Sequence, residues 1–250
     1  MRQDIKNYVF YEIYPNSFKD SNNDGYGDLK GIIEKLDYVA GLGVDGIWLN
    51  PHYDSPFNDG GYDVKDYFHT SPRFGTDEDF KQLIEECHKR DILVNAFTQT
   101  FRCFEEGSKL LDESYYQLEY DGSLSRGNIY YYDICNDNVQ DVLYAWYLEL
   151  VSYYDFDKIE YDIIRYSQSN LYKYSSVEQI TNAKDIIDPG YTEYSMEKFK
   201  KQYNLVGDLK QLILQSSDVR SKWLKFKEDE LINFITNEIM PIEDLKNLEL

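Results

Sequence analysis

Short β-prone runs alternate with amphipathic helical stretches through the first hundred residues. That alternation restricts the chain to a parallel α/β sheet, open or closed into a barrel. Val9 to Tyr14 is a β-rich run stopped by Pro15. Leu29, Ile32, Ile33 and Leu36 then recur at the spacing of one helical face, with Gly41 and Gly43 beyond its end. Gly46 to Asn50 reads as a second strand closed by Pro51. Thr76 is placed to cap a helix whose Phe80, Leu83, Ile84 and Cys87 share a face, with Asp79 three residues after the cap. Ile92 to Phe97 is a third strand.

Arg102 to Tyr132 carries no clear period and reads as a long loop, a length that is usually functional or disordered. Asn138 is then the expected cap of a helix with Val139, Val142, Leu143, Trp146 and Leu150 on one face. Lys158 to Tyr166 reads as a fourth strand, and a charged helical pattern runs from about Glu193. Four βα units are therefore clear. A full (β/α)8 barrel of TIM type needs eight and about 250 residues. The loop and the helical C-terminal part use residues that four more strands would need, so an incomplete barrel is expected.

The net charge of −20 argues against nucleic acid and anionic membrane as partners, since both call for a basic face. No segment has the apolar length of a signal peptide core or a membrane span. Cys87, Cys103 and Cys135 are odd in number and too widely spaced for a disulfide framework or a zinc pattern. A cytoplasmic protein follows as the expectation. The 25 Tyr, 13 Phe and 3 Trp suit stacking on sugar rings, although most such residues serve as core.

The run from Asp20 to Asp28 places oxygen donors at alternate positions, as a hard cation such as Ca²⁺ requires; turn formation and helix capping would use the same residues. Several groups then follow in a fixed order. They include Ser17-Phe18-Lys19-Asp20-Ser21-Asn22, Gly27-Asp28-Leu29, Ile47-Trp48-Leu49, Ser55-Pro56, Gly61-Tyr62-Asp63-Val64, Phe74-Gly75-Thr76 and His88-Lys89-Arg90. Over roughly Val9 to Ile92 these resemble the N-terminal part of the alpha-amylase family, in particular its oligo-1,6-glucosidase and alpha-glucosidase members. The resemblance implies one catalytic barrel domain over 1–250, truncated. It implies a structural Ca²⁺ held by Asp20, Asn22, Asp24, the Tyr26 carbonyl and Asp28. It also implies that Tyr62 and Asp63 contact the sugar at the cleavage point.

Past the third strand the resemblance thins. The family's third strand ends in Asp-x-x-x-Asn-His, whereas this one reads Asn95-Ala96-Phe97-Thr98-Gln99. Its fourth strand reads Gly-Phe-Arg-x-Asp. Here Asp162 keeps the nucleophile position and Glu160 stands where the arginine should be. Residues two apart on a strand share a face, so Glu160 would raise the Asp162 pKa where an arginine would lower it. The pair could instead share acid and base roles, or be solvated carboxylates paired with Lys158 or Arg165. The strand also resembles bacterial glycosyl-hydrolase-like barrels, some acting on peptidoglycan, through Asp162-Ile163-Ile164-Arg165-Tyr166. Glu238 sits in a faint likeness to the family's general-acid site, against a helical stripe of Leu231, Ile235 and Ile239.

The expectation is thus a glycosidase of weak or degenerate activity on an alpha-glucoside or oligosaccharide. Asp162, Glu160 and Glu238 are its catalytic candidates, and Tyr62, Asp63 and Arg165 its substrate contacts. The rival is a carbohydrate-binding or inert barrel-like protein, or a hydrolase of another glycan such as peptidoglycan. A half-barrel leaves strand edges that a homo-oligomer would cover.

Overall fold

A computed structural model describes residues 7–104, 112–124, 129–167 and 175–242. These divide into two units. The first holds the described residues up to Ala96 together with Phe156–Glu160. The second holds Phe97–Asp155 and the described residues from Tyr161 onward.

In the first unit β1 (Phe10–Ile13) pairs in parallel with β2 (Gly46–Leu49), in the register Phe10↔Gly46 to Ile13↔Leu49. Gly46 also bridges in parallel to Leu93. A Cβ at Gly46 would lie 2.7 Å from the Phe10 ring and 3.3 Å from the Leu93 carbonyl, so the close strand approach there requires glycine. A short helix, α1 (Pro15–Phe18), leads to α2 (Leu29–Gly41). Asp28 caps α2 by accepting from the Gly31 N–H at 2.6 Å, and Gly43 ends the turn at φ +75. A small antiparallel pair, β3 (Tyr53–Asp54) and β4 (Asp66–Thr70), precedes α3 (Asp77–His88). Thr76 and Asp79 form a capping box at the start of α3, as their spacing implies.

The core of this unit is mostly aliphatic. Ile13, Leu29, Ile32, Leu36, Leu83, Cys87 and Ile92 pack together with Phe74. Cys87 has the packing role expected of it, and burial pushes its thiol up to about 12. Arg90 ties the end of α3 to α2 through Asp37 at 2.7 Å. Asp157 accepts from the Val94 N–H at 2.8 Å and lies 3.2 Å from His88 Nε2.

The strand β5 (Asn95–Gln99) pairs with β8 (Lys158–Asp162). The strand expected over 158–166 stops at Asp162 because Ile163 adopts φ +56, a left-handed conformation costly for a β-branched residue. Within the segment read as a long loop, β6 (Arg102–Phe104) and β7 (Ile129–Tyr131) form an antiparallel ribbon. The helix α4 (Asp137–Tyr153) is capped by Asn136, which accepts from the Asn138 N–H, so the cap expected at Asn138 lies two residues earlier. Its buried face is Val139, Leu143, Tyr147 and Val151, and Trp146 is exposed.

The charged C-terminal part is helical, as its pattern implies. It comprises α5 (Val177–Thr181), α6 (Glu193–Gln202), α7 (Leu209–Gln215) and α8 (Ser217–Asn233), continued by a π-helical stretch Phe234–Ile239. Tyr191, Phe199, Trp223 and Phe226 pack with Cys135, Leu209 and Ile213 into the second core. Among the described residues the strands form four two-stranded sheets and no closed barrel. No helix among them is long and apolar enough to cross a membrane.

Candidate functional site

The Asp20–Asp28 loop is held by its own side chains. One Asp20 oxygen accepts from the N–H groups of Asn22 and Asn23, and the other accepts from Gly25. Gly25 first, then Asn23 and Asn22, hold the Asp20 carboxyl below its usual range. Asp24 accepts from the Tyr26 N–H at 2.8 Å and from the Asn22 amide at 3.1 Å. Asp28 divides its oxygens between the helix start at Gly31 and both the N–H and hydroxyl of Ser21. The donor set is hard oxygen throughout, the chemistry Ca²⁺ takes. In this conformation its carboxylates turn to N–H and O–H groups. Among the described residues no three His, Cys, Asp or Glu side chains gather as a metal site. A cation would use the remaining lone pairs of these oxygens.

Tyr62 and Asp63 follow two glycines of positive φ, Gly60 at +61 and Gly61 at +103, which let the chain turn sharply. The Tyr14 hydroxyl donates to the Gly60 carbonyl at 2.7 Å and braces that turn. Asp63 accepts from the Ser55 hydroxyl at 2.7 Å and the Asn58 N–H at 2.9 Å. The Ser55 bond is the main reason its carboxyl is held below the usual range. Tyr62 is 54% exposed, with its hydroxyl accepting from the Asn50 amide at 2.9 Å. The same amide donates to Glu12 at 3.2 Å. His52, two residues after Asn50 in sequence, is buried, stacked 4.1 Å from the Phe80 ring, and burial pushes its pKa down to about 4. A hydroxyl, an ionised carboxylate and an exposed aromatic face thus lie together beyond the ends of β1 and β2. That combination can stack on a sugar ring and bond its hydroxyls.

Glu12, Asn50 and Ser55 were not among the candidates read from the chain. Asn50 carried one usable signal, a polar residue directly after an apolar strand and directly before Pro51.

The remaining candidates lie on other elements. Asp162 is the last residue of β8, and its carbonyl accepts from the Thr100 N–H at 2.9 Å. Glu160 lies within the same strand and both are partly buried. Arg165 is exposed beyond the strand end. Glu238 is exposed on the π-helical stretch, so the strand-end setting of a barrel general acid is absent there.

The family model of the alpha-amylase catalytic domain matches residues 12–116. Over that stretch the chain is similar to the alpha-amylase family. The matched segment contains Tyr62, Asp63 and the whole Asp20–Asp28 loop; Glu160, Asp162, Arg165 and Glu238 lie outside it. The chain is 57% identical over 101 residues to an oligo-1,6-glucosidase of Saccharomyces cerevisiae, covering 40% of this chain and 17% of that protein. It is 47% identical over 116 residues to a trehalose-6-phosphate hydrolase of Bacillus subtilis, covering 44% and 21%. It is 58% identical over 88 residues to a glucan 1,6-alpha-glucosidase of Streptococcus pneumoniae, covering 35% and 16%. The chain therefore spans a small part of the length of these curated relatives. A solved structure of a family GH13_31 enzyme aligns with TM-score 0.50 at 22% identity, covering 80% of this chain and 46% of the other. That likeness concerns the fold alone, which is of the (β/α)8 type.

Proposed function

We propose that the protein is a glycoside-hydrolase-type protein that takes alpha-linked glucosides, with Tyr62 and Asp63 as its sugar contacts. The observation that carries this reading is the pairing of an exposed Tyr62 ring with a Ser55-held Asp63 carboxylate inside the matched segment. The ring would cover the apolar face of a glucose unit, and the carboxylate would accept from its hydroxyls.

Asp162 is the proposed nucleophile. It would attack the anomeric carbon to form a glycosyl ester as the glycosidic bond breaks, with Glu160 or Glu238 giving a proton to the leaving oxygen and water later cleaving the ester. Glu160 stands at the position where the family's strand carries arginine, so that positive charge is missing from the strand that carries the proposed nucleophile. Removing a group that stabilises transition-state charge costs about 10² to 10³ in rate. Hydrolysis of an aryl alpha-glucoside is therefore expected to be slow and to vanish in Asp162→Asn. Turnover at ordinary enzyme rates, or activity that survives Asp162→Asn, would sink this assignment. The exposed helical setting of Glu238 favours a second reading, sugar binding with negligible turnover. Measurable binding of methyl alpha-glucoside without hydrolysis would select it.

The same reading assigns one Ca²⁺ to Asp20, Asn22, Asp24, Asp28 and the Tyr26 carbonyl, where it would fix the loop ahead of α2. Titration of chelator-treated protein should show saturable binding and a raised melting temperature, both lost in Asp24→Ala. No heat and no thermal shift would remove the ion.

A further inference from the structure

We propose that Glu12 and Asn50 are positioning residues that leave the Tyr62 hydroxyl as a hydrogen-bond donor to a sugar oxygen. This rests on the reading of Tyr62 as a sugar contact. Asn50 is 3% exposed and lies just past β2, with its N–H on the Ile13 carbonyl at 2.9 Å. Its side-chain nitrogen reaches both Glu12 Oε1, at 3.2 Å, and Tyr62 Oη, at 2.9 Å.

An asparagine amide can present either end to its neighbours, and here the neighbour decides. An ionised carboxylate only accepts, so Glu12 selects the NH2 end. With that end fixed, Tyr62 Oη must accept from Asn50. The hydroxyl hydrogen is then directed away from Asn50, and no acceptor takes it among the described residues. The other end of the amide does not compete for orientation, because Asn50 Oδ1 is buried with no partner among the described residues. A buried amide oxygen left unsatisfied is costly, and it persists here while both donor contacts are made. The Tyr14–Gly60 bond and the two positive-φ glycines fix the backbone from which Tyr62 projects, so the ring cannot turn to seek another acceptor cheaply. The result is a polarity set 50 residues upstream in sequence: carboxylate, amide, hydroxyl, then ligand oxygen.

The test reverses that polarity. In Glu12→Gln combined with Asn50→Asp, the introduced carboxylate accepts from both neighbours, and the Tyr62 hydroxyl is drawn inward. Affinity for methyl alpha-D-glucopyranoside, measured by NMR titration at pH 7.5, should fall about five- to tenfold, the scale of one hydrogen bond. Tyr62→Phe in wild-type protein should lose the same factor, and Tyr62→Phe in the reversed background should lose less than about twofold more. Glu12→Gln alone should also lower affinity, by less than the reversed pair, since its amide can present either end to Asn50 and no longer fixes the NH2 end toward Tyr62. Losses that add across the cycle, or a reversed pair that binds like wild type, would overturn the relay while leaving the sugar reading intact. Wild-type protein that does not bind the glucoside would overturn both. A second readout covers a reversed pair that fails to fold. The Asn50 side-chain amide resonances in wild type should shift on glucoside addition and in Tyr62→Phe, and unmoved resonances would overturn the relay.

Discussion

The two units are stabilised by different chemistry. The first packs short aliphatic stripes from α2 and α3 against the strands, and its ion pairs, such as Lys65–Asp54 and Lys89–Glu86, lie at the surface. The second packs large rings and buries charge among them. Lys227 reaches Asp188 at 2.7 Å and the Pro189 carbonyl, and it lies 5.0 Å from the Trp223 ring. Buried Arg220 donates to the Ala183 and Asp185 carbonyls. Buried Asp133 accepts from the Thr192 and Ser195 hydroxyls, and burial raises its pKa. An aliphatic stripe can be repacked with similar groups. A ring cluster that also satisfies buried charge has few substitutes, because each lost partner leaves a polar group unpaired.

The largest test of this contrast is Trp223→Ala, which removes a fully buried ring. It should cost about 3–5 kcal/mol and expose the peptides of α6 and α8 first in hydrogen exchange. A loss of under about 1 kcal/mol, within the range of an ordinary surface change, would end the contrast.

A second test uses acid. The folded pKa of His52 is lowered to about 4 from 6.5, so the unfolded chain takes a proton that the folded unit refuses. Stability from His52 is fully present above pH 6.5 and is lost as pH falls toward 4, by up to about 3 kcal/mol. Asp133 carries the opposite sign. Its raised folded pKa means that acid does not withdraw stability there, and that its cost appears as pH rises above the ordinary aspartate range. Unfolding monitored by peptide-level exchange between pH 7 and 4.5 should therefore weaken the first unit, and His52→Gln should flatten that dependence. An unchanged slope in the variant would assign the loss elsewhere. The smallest effect is expected for Thr76→Ala, which removes the capping box of α3 and should lower first-unit stability by about 1 kcal/mol.

The same contrast governs what could be read from the chain. In the first unit each helix announces itself by its own apolar period and its own cap, within about a dozen residues, so α2, α3 and the Thr76 cap were legible. The family motif made Tyr62 and Asp63 legible as well. Their supports were not, because Glu12 and Ser55 are chosen by folding contacts rather than by local pattern. The ribbon of Arg102–Phe104 with Ile129–Tyr131 was missed because its strands are short and far apart in sequence. The fourth strand was read too long because nothing in Asp162-Ile163-Ile164-Arg165-Tyr166 announces a left-handed isoleucine. Trp146 was misplaced because α4 buries a Val139–Leu143–Tyr147–Val151 stripe beside the one its period suggested.

Asp28 joins two tasks in one carboxylate, starting α2 and receiving Ser21 from across the loop. Close neighbours leave it little freedom: a Cβ on Gly31 would stand 1.9 Å from the Lys19 carbonyl, and one on Gly27 2.1 Å from that of Pro15. For anyone wishing to graft this loop onto another scaffold, its usable unit does not end at Asp28. The transplant must carry Pro15 to Gly31 as one cassette, and only the exposed apex around Asn22 to Gly25 is open to redesign.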